Sequence, residues 1–328
     1  MEPLALGSRV LICYIIFMKA ISVTILPVIL LGGISFTAKA EELNAADVSY
    51  LFEKFQAAVD NLPYPETGRV QADAVDVYQT VLDRLKGSGV PESYVKSVFA
   101  DPNAQILEEI LTAINTPAED LPYEQYRKLL LTEKRIADGA RFYTANKDLL
   151  AEVFRNYGVD TFILASLVGI ESSYGKNTGK YMVFNALYTI AETTPGHSAW
   201  AARELAEFLK LCYFRNKYPF SILGSYAGAF GFGQFLPSSY NAYAVDFNGD
   251  GYPDLFAWPD ALASISNYLV KNKYFSSPGF SEGSGVWKAL YAYNHSTNYV
   301  KVILELRLEI QKRLGISDFN ISGFRENL

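Results

Sequence analysis

The fold is decided by the stretch Asp160-Thr-Phe-Ile-Leu-Ala-Ser-Leu-Val-Gly-Ile-Glu-Ser-Ser-Tyr-Gly175. Asp160 is a residue type that caps the start of a helix, and Gly175 is one that closes its end, so the stretch predicts a helix. Apolar side chains lie three, four and seven residues before Glu171. This spacing puts the Glu171 carboxyl on or beside the apolar face of its own helix.

The surroundings predicted for Glu171 have a chemical consequence. A carboxyl group in an apolar, poorly hydrated place has its charged form disfavoured, which raises its pKa. A general acid that works near neutral pH needs such a pKa. The alternative is a solvated glutamate near a helix end, with no chemical role.

The composition of the chain narrows the choice of function. The 328 residues are 50% hydrophobic and 20% charged, which is typical of a compact globular protein with a sizeable core. The formal charge is −6 and no basic stripe is present, so we do not expect a nucleic-acid partner. Two histidines and two cysteines exclude a zinc cluster and a disulfide framework, and Cys212 in its apolar context is expected in the core.

The first forty residues have the pattern of a targeting segment. Met18 and Lys19 form a short basic start, an apolar run follows from Ile21 to Ile34, and Ala38-Lys39-Ala40 fits a small-x-small cleavage site. The sequence therefore predicts a signal peptide over residues 1–40, with Met18 as the natural start. The alternative is an uncleaved anchor from Val10 onward, which would allow weak membrane association but is interrupted at Met18.

The region from residue 41 to 150 shows only helical periodicity. Apolar positions at spacings of three and four predict helices over 44–62 and 72–86, then others beginning near Pro91 and near Asn103. After the Glu171 helix, further helices are expected over Asn185–Ile190 and Trp200–Phe214, and a final one ends at Leu314 before Gly315. The chain is thus predicted to be mainly α-helical.

The segment from Gly224 to Tyr240 differs in composition from the helical regions because it is rich in glycine. Its sequence is Gly-Ser-Tyr-Ala-Gly-Ala-Phe-Gly-Phe-Gly-Gln-Phe-Leu-Pro-Ser-Ser-Tyr. A flexible linker is one interpretation. The glycines, however, alternate with aromatic residues and one glutamine, and glycine lets a backbone approach a ligand closely. The wall of a binding groove is the second interpretation.

The segment Asp246-Phe-Asn-Gly-Asp-Gly-Tyr-Pro-Asp-Leu resembles the first half of a calcium-binding loop. The candidate ligands at its positions 1, 3, 5 and 7 are Asp246, Asn248, Asp250 and the carbonyl of Tyr252. Position 12 is Ala257 where a bidentate glutamate is standard, so Asp260 would have to close the site, with Asp254 as an extra ligand. The alternative is a plain turn rich in Asx and glycine.

Taken together and in order, these segments resemble the lytic transglycosylase B family of peptidoglycan-cleaving enzymes. The similar motifs are Tyr126-Arg127, Gly139-Ala-Arg-Phe-Tyr143, Tyr157-Gly-Val, Gly169-Ile-Glu-Ser-Ser-Tyr-Gly175, Gly224 to Tyr240, Asp246 to Asp260, and Tyr293-Asn294-x-Ser296-x-x-Tyr299. They extend over about Pro91 to Tyr299. Ser172 replaces the usual threonine after the glutamate, Phe230 replaces a usual methionine, and Pro195-Gly196-His197 stands where basic residues are common.

The resemblance implies a lysozyme-like catalytic region over residues 151–328, with an EF-hand-like calcium loop at about 246–260. It implies cleavage of the β-1,4 bond between N-acetylmuramic acid and N-acetylglucosamine with a 1,6-anhydro product, and Glu171 as the single general acid and base. The implied substrate-binding residues are Ser225, Gln234, Tyr293 and Asn294. Calcium would be structural, no cofactor would take part in catalysis, and the partner would be peptidoglycan strands in the periplasm. The alternatives are a hydrolytic muramidase and a non-catalytic, calcium-dependent peptidoglycan-binding protein.

Overall fold

A computed structural model describes residues 76–114, 121–275 and 279–316. The predicted signal peptide, its membrane-anchor alternative and the predicted helix over 44–62 lie outside these residues. The described residues belong to one compact unit. The position between residues 150 and 151, where the sequence placed the boundary between the N-terminal helical region and the catalytic region, lies inside the helix Lys147–Tyr157. Described helices on both sides of that position therefore pack within the same unit.

The described residues form thirteen helices and two short strands, which confirms the mainly α-helical prediction. In chain order they are α1 Val77–Leu85, α2 Glu92–Phe99, α3 Glu108–Ile114, α4 Tyr123–Leu130, α5 Glu133–Ala145, α6 Lys147–Tyr157, α7 Thr161–Glu171, β1 Tyr181–Met182, α8 Val183–Thr193, α9 Pro195–Phe214, β2 Leu223–Gly224, α10 Pro237–Tyr243, α11 Trp258–Lys271, α12 Gly285–Tyr293 and α13 Thr297–Arg313. The two strands pair antiparallel, with Tyr181 opposite Gly224. Among the described helices, none is both long and apolar enough to cross a membrane.

Helix α7 is buried among four other described helices. Asp160 caps it as predicted, because its Oδ1 accepts hydrogen bonds from the backbone N–H groups of Phe162 at 2.8 Å and Ile163 at 3.3 Å. From Phe162 to Glu171 every residue is buried, and α5, α6, α11 and α13 pack against the helix. The sequence indicated one apolar face, whereas the structure encloses α7 on all sides and leaves it no polar face.

The end of α7 also differs from the prediction. The helix ends at Glu171 and not at Gly175, because Ser172 Oγ donates to the Val168 carbonyl at 3.1 Å and accepts from the Gly175 N–H at 3.0 Å. The chain then turns with a positive φ of 60° at Tyr174, whose side chain folds back over α7. Glycine is required at position 169, since a Cβ there would lie 2.5 Å from the Tyr174 hydroxyl. The turn leaves Glu171 as the last helical residue.

Two other helix boundaries differ from the sequence pattern for local reasons. Helix α3 begins at Glu108 rather than near Asn103, because side chains of α8 bind the preceding backbone: Thr189 Oγ1 accepts from the Leu107 N–H at 2.9 Å. Helix α9 begins at Pro195, which is tolerated in a first helical turn because its missing N–H would be unpaired there anyway. Cys212 of α9 is a buried free cysteine, as predicted.

Candidate active site around Glu171

Glu171 lies at the end of α7 with only 2% of its surface exposed. Burial raises the pKa of its carboxyl to about 8, because removal from water disfavours the charged form. The Tyr299 hydroxyl donates to Glu171 Oε1 at 2.5 Å and lowers that pKa, but by less than burial raises it. Oε2 accepts no hydrogen bond from any described residue. The carboxyl is thus held in its protonated form at neutral pH, with one oxygen left for a ligand.

Two tyrosines from the junction of α12 and α13 surround the carboxyl. Tyr299 lies in the first turn of α13, which Ser296 caps by accepting from the Tyr299 N–H at 3.3 Å. Tyr293 ends α12, and its hydroxyl donates to the Gly233 carbonyl at 2.5 Å. Burial raises the pKa of both hydroxyls well above the usual value, and the nearby Glu171 charge raises it further. Both therefore remain neutral hydrogen-bond donors.

Asn294 joins α12 to α13 and has an unusual side chain. It is 2% exposed, and neither its Nδ2 nor its Oδ1 has a hydrogen-bond partner within the described residues. A buried polar group without a partner costs about 1–3 kcal/mol. An amide of this kind beside Tyr293 is suited to a ligand that brings its own donor and acceptor groups.

The segment from Gly224 to Tyr240 is part of the core, and the linker interpretation is wrong. Ser225 is buried, and its Oγ accepts from the N–H groups of Ala227 at 3.2 Å and Ala229 at 3.1 Å. Gln234 has a positive φ of 51° and donates through Nε2 to the carbonyls of Thr178 at 3.2 Å and Gly231 at 2.8 Å. Both amide hydrogens of Gln234 are therefore used, which leaves its Oε1 for a ligand.

The contacts bring some of the sequence-predicted residues together. The bond from Tyr293 to Gly233 ties the glycine-rich segment to the elements that hold Glu171 and Asn294. Ser225 has no described contact with Glu171, and its Oγ orders its own loop. One protonated carboxyl beside neutral hydroxyls and the unpaired Asn294 amide is suited to proton donation to a bound ligand.

The acidic loop brings its carboxylates into a cluster. Asp246, Asp250 and Asp260 each place a carboxylate oxygen within 4.8 Å of the others. Asp260 is fully buried at the start of α11, and its two oxygens accept from backbone N–H groups of the loop, including Phe247 at 2.9 Å and Asp254 at 2.8 Å. Asp260, which lies three residues after the standard twelfth position at Ala257, therefore binds the backbone of the first half of the loop.

The donor set of this loop fits a hard cation. Besides three carboxylates, the Asn248 Oδ1 lies in the loop and accepts from the Asp250 N–H at 3.0 Å, while the Asn248 Nδ2 donates to Asp250 Oδ2 at 3.0 Å. Calcium prefers carboxylate, amide and carbonyl oxygens as ligands. The Tyr252 carbonyl and the four side chains could supply five of the 6–8 ligands that calcium requires.

Some contacts at the site were not visible in the sequence. Tyr299 reaches Glu171 from 128 positions away, and a local spacing pattern cannot show such a pairing. Arg307 of α13 binds the second oxygen of Asp160 at 2.8 Å, so it holds the cap of α7 in place. The only sequence signal for Arg307 is a cation on an otherwise apolar helix face.

Comparison with known proteins gives one family and several relatives. The family model described as "Transglycosylase SLT domain" matches residues 74–281, more than half of the chain. The chain is 35% identical over 162 residues to membrane-bound lytic murein transglycosylase B from Escherichia coli strain K12, a match that covers 49% of this chain and 43% of that protein. The matched part thus spans less than half the length of that curated relative.

Solved structures give the same picture of the fold. Soluble lytic transglycosylase SltB1 from Pseudomonas aeruginosa is 27% identical with a TM-score of 0.66, over 73% of this chain and 99% of that one. The Escherichia coli lytic transglycosylase SLT35, solved in complex with calcium, is 23% identical with a TM-score of 0.65, over 74% of this chain and 94% of that one. The second similarity shows the fold alone.

Proposed function

Since the chain belongs to the transglycosylase SLT domain family, we propose that it is a lytic transglycosylase acting on peptidoglycan. It cleaves the β-1,4 bond between N-acetylmuramic acid and N-acetylglucosamine and leaves 1,6-anhydro ends. The observation that carries this proposal is the state of Glu171: a buried carboxyl with a pKa of about 8, hydrogen-bonded to Tyr299 and open at Oε2.

Glu171 performs both proton transfers in this mechanism. The protonated carboxyl donates to the glycosidic oxygen as the bond to C1 breaks. The resulting carboxylate then accepts the proton of the muramoyl C6 hydroxyl, whose oxygen bonds to C1 of the same sugar. No water is consumed, and the glutamate ends in its protonated form. Tyr299 holds Oε1 throughout.

Within the part of the chain that the structure describes, the surroundings of Glu171 support this route over hydrolysis. Most glycosidases that hydrolyse such a bond use two carboxyl groups, one as acid and one as base or nucleophile. Within the described residues, no other carboxyl group contributes to the pKa of Glu171. Gln234 Oε1 and the free Asn294 amide would orient the sugar, Tyr293 would hold the cleft wall, and Ser225 would shape it.

The acidic loop takes a structural calcium ion in this proposal. Its ligands are Asp246, Asn248, Asp250, the Tyr252 carbonyl and Asp260, and the ion fixes the loop that follows α10. No step of the cleavage passes through it. The enzyme acts in the periplasm, after export by the signal peptide predicted over residues 1–40.

The test is product analysis with wild type and Glu171→Gln. Wild type is expected to release muropeptides with 1,6-anhydro ends, which are one water lighter than hydrolytic products by mass spectrometry. The amide cannot donate the required proton, so turnover should fall by about 10²–10⁴-fold or more while the fold is kept. Hydrolytic products would indicate a muramidase. Pull-down of sacculi without released muropeptides by wild type would indicate a non-catalytic binding protein.

A further inference from the structure

A cavity that does not include Glu171 lies beside the acidic loop. Its volume is about 420 Å³, within the range of ligand pockets, and Glu171 is not among its lining residues. It is bounded by the end of α9, by the loop that leads to β2, and by residues 252–256 of the acidic loop. Thr178 and Gly179 also line it.

Two cations line this cavity in a chain whose formal charge is −6. Arg215 is the C-cap residue directly after α9, and Lys217 follows through Asn216, which has a positive φ of 48°. The Lys217 N–H donates to the Cys212 carbonyl at 2.8 Å, and this turn brings both side chains to the same cavity. The acid that lines the cavity, Asp254, accepts from the Phe256 N–H at 2.8 Å. The cavity therefore carries one net positive charge.

Aromatic side chains complete the walls. Lys217 Nζ lies 4.8 Å from the centre of the Tyr252 ring. The Tyr240 hydroxyl donates to the Pro253 carbonyl at 2.8 Å and lies beside the Arg215 guanidinium. The Phe256 ring is 39% exposed. Cations set among aromatic faces suit a flexible ligand that carries carboxylates on an apolar chain.

One hydrogen bond and one shared segment connect the cavity to the candidate active site. Gln234 of the glycine-rich segment donates to the Thr178 carbonyl at 3.2 Å, and Thr178 lines the cavity. Phe230, from the same segment, also lines it. A substrate that lies along this segment can thus place one group against Gln234 and another in the cavity.

We propose that this cavity is a subsite for the carboxylate-bearing stem peptide of an uncleaved peptidoglycan strand, with Arg215 and Lys217 facing its carboxylates. This inference rests on the function proposed above. It adds that the protein recognises the stem peptide of its substrate. The competing explanation is that both cations merely complement the negative end of α9, which would affect stability but not the choice of substrate.

The experiment compares two forms of one substrate. Glycan strands from sacculi are used with their stem peptides, and after removal of the peptides by an amidase. The variant is Arg215→Ala/Lys217→Ala, and the control Arg203→Ala/Lys210→Ala removes the same charge from α9 outside the cavity. We expect kcat/KM on peptide-bearing strands to fall by roughly tenfold in the first variant, as for the loss of charge-assisted hydrogen bonds. Its kcat/KM on stripped strands and both values of the control should match wild type.

The other outcomes distinguish a failure of the proposed subsite from a failure of the proposed function. An equal loss on both substrates, or no loss on peptide-bearing strands, overturns the subsite. If wild type cleaves neither substrate, the proposed function fails, and titration with the free stem tetrapeptide then decides the cavity by itself. In that titration, loss of binding in Arg215→Ala/Lys217→Ala but not in the control supports the subsite, and unchanged binding overturns it.

Discussion

Glu171 and Asp138 are carboxyl side chains with nearly equal exposure and opposite protonation behaviour. Glu171 is 2% exposed and Asp138 is 7% exposed. Burial raises the pKa of Glu171 to about 8. Burial also raises that of Asp138, but hydrogen bonds from Lys134, Lys176 and Arg141 outweigh it, so the pKa of Asp138 lies well below its usual range.

The difference shows that burial alone does not decide the charge of a carboxyl group. Lys134 Nζ and Lys176 Nζ contact Asp138 at 2.7 and 3.0 Å, whereas the partner of Glu171 is a neutral hydroxyl. Lys176 follows Glu171 by only five positions, yet the turn after α7 directs it to Asp138. The fold thus keeps a nearby cation away from Glu171, whose pKa burial raises.

The largest expected effect is a change in how stability depends on pH in Glu171→Gln. A raised pKa in the folded state means that wild type loses stability as pH rises from about 4.5 to about 8, because the unfolded chain then releases the Glu171 proton while the folded protein keeps it. The amide has no such penalty. Between pH 4.5 and pH 7 the free energy of unfolding of Glu171→Gln should therefore gain about 3 kcal/mol on wild type.

Urea unfolding of both proteins at the two pH values measures this gain. A constant difference between them would mean that the Glu171 carboxyl ionises at its ordinary pKa. Glu171 and Asp138 would then no longer differ in protonation in the way described above.

The next effect has the opposite sign. Asp138→Asn removes a carboxylate whose lowered pKa stabilises the fold above pH 3.8, a contribution that is lost as pH falls through the folded-state value. The three cations are exposed, so solvent screening limits the loss to about 2 kcal/mol at pH 7. Thermal unfolding should show the gap at pH 7 and a clearly smaller gap near pH 2. Equal gaps at both pH values would point to lost packing instead of lost charge.

The sequence predicts the helix that carries Glu171 better than it predicts the contacts of that helix with distant parts of the chain. The cap at Asp160, the helix containing Glu171 and its apolar neighbours follow from local spacing and residue type. The all-round burial of α7 does not, because the period of three and four reports one face and not what packs on the others. The bond from Tyr299 joins positions 128 apart, and its geometry depends on how α13 packs across α7.

The cations around Asp138 also show that local spacing in the sequence does not reveal contacts between different elements. Lys134 and Arg141 lie at helical spacing from Asp138 and are visible in the sequence as a charged face. Lys176 joins them only because the chain turns at Ser172 to Gly175. The start of α3 was missed for a similar reason, since the side chain that binds its leading backbone comes from α8.

The acidic loop is a third way of holding carboxylates, in which a bound cation would replace lysine and arginine. Calcium at ten times its dissociation constant should raise the free energy of unfolding by about 1.4 kcal/mol. Asp250→Asn should lose this gain, whereas Asp148→Asn, an exposed substitution in α6, should keep it. Calorimetry with calcium and with chelator measures the shift. An unchanged melting temperature in wild type would reduce the loop to a hydrogen-bonded turn.

The smallest effect tests whether the hydroxyl partner of Glu171 tunes its acidity. The hydrogen bond from Tyr299 lowers the pKa of Glu171, so Tyr299→Phe should raise it and move the alkaline limb of the pH–activity profile upward. One hydrogen bond contributes about 1 kcal/mol, so the limb should move by less than about one pH unit. Tyr293→Phe is the matched control, because that hydroxyl donates to the Gly233 carbonyl and not to Glu171. A downward shift in Tyr299→Phe would mean that the hydroxyl stabilises the protonated acid, and Glu171 would then owe its proton to Tyr299 as well as to burial.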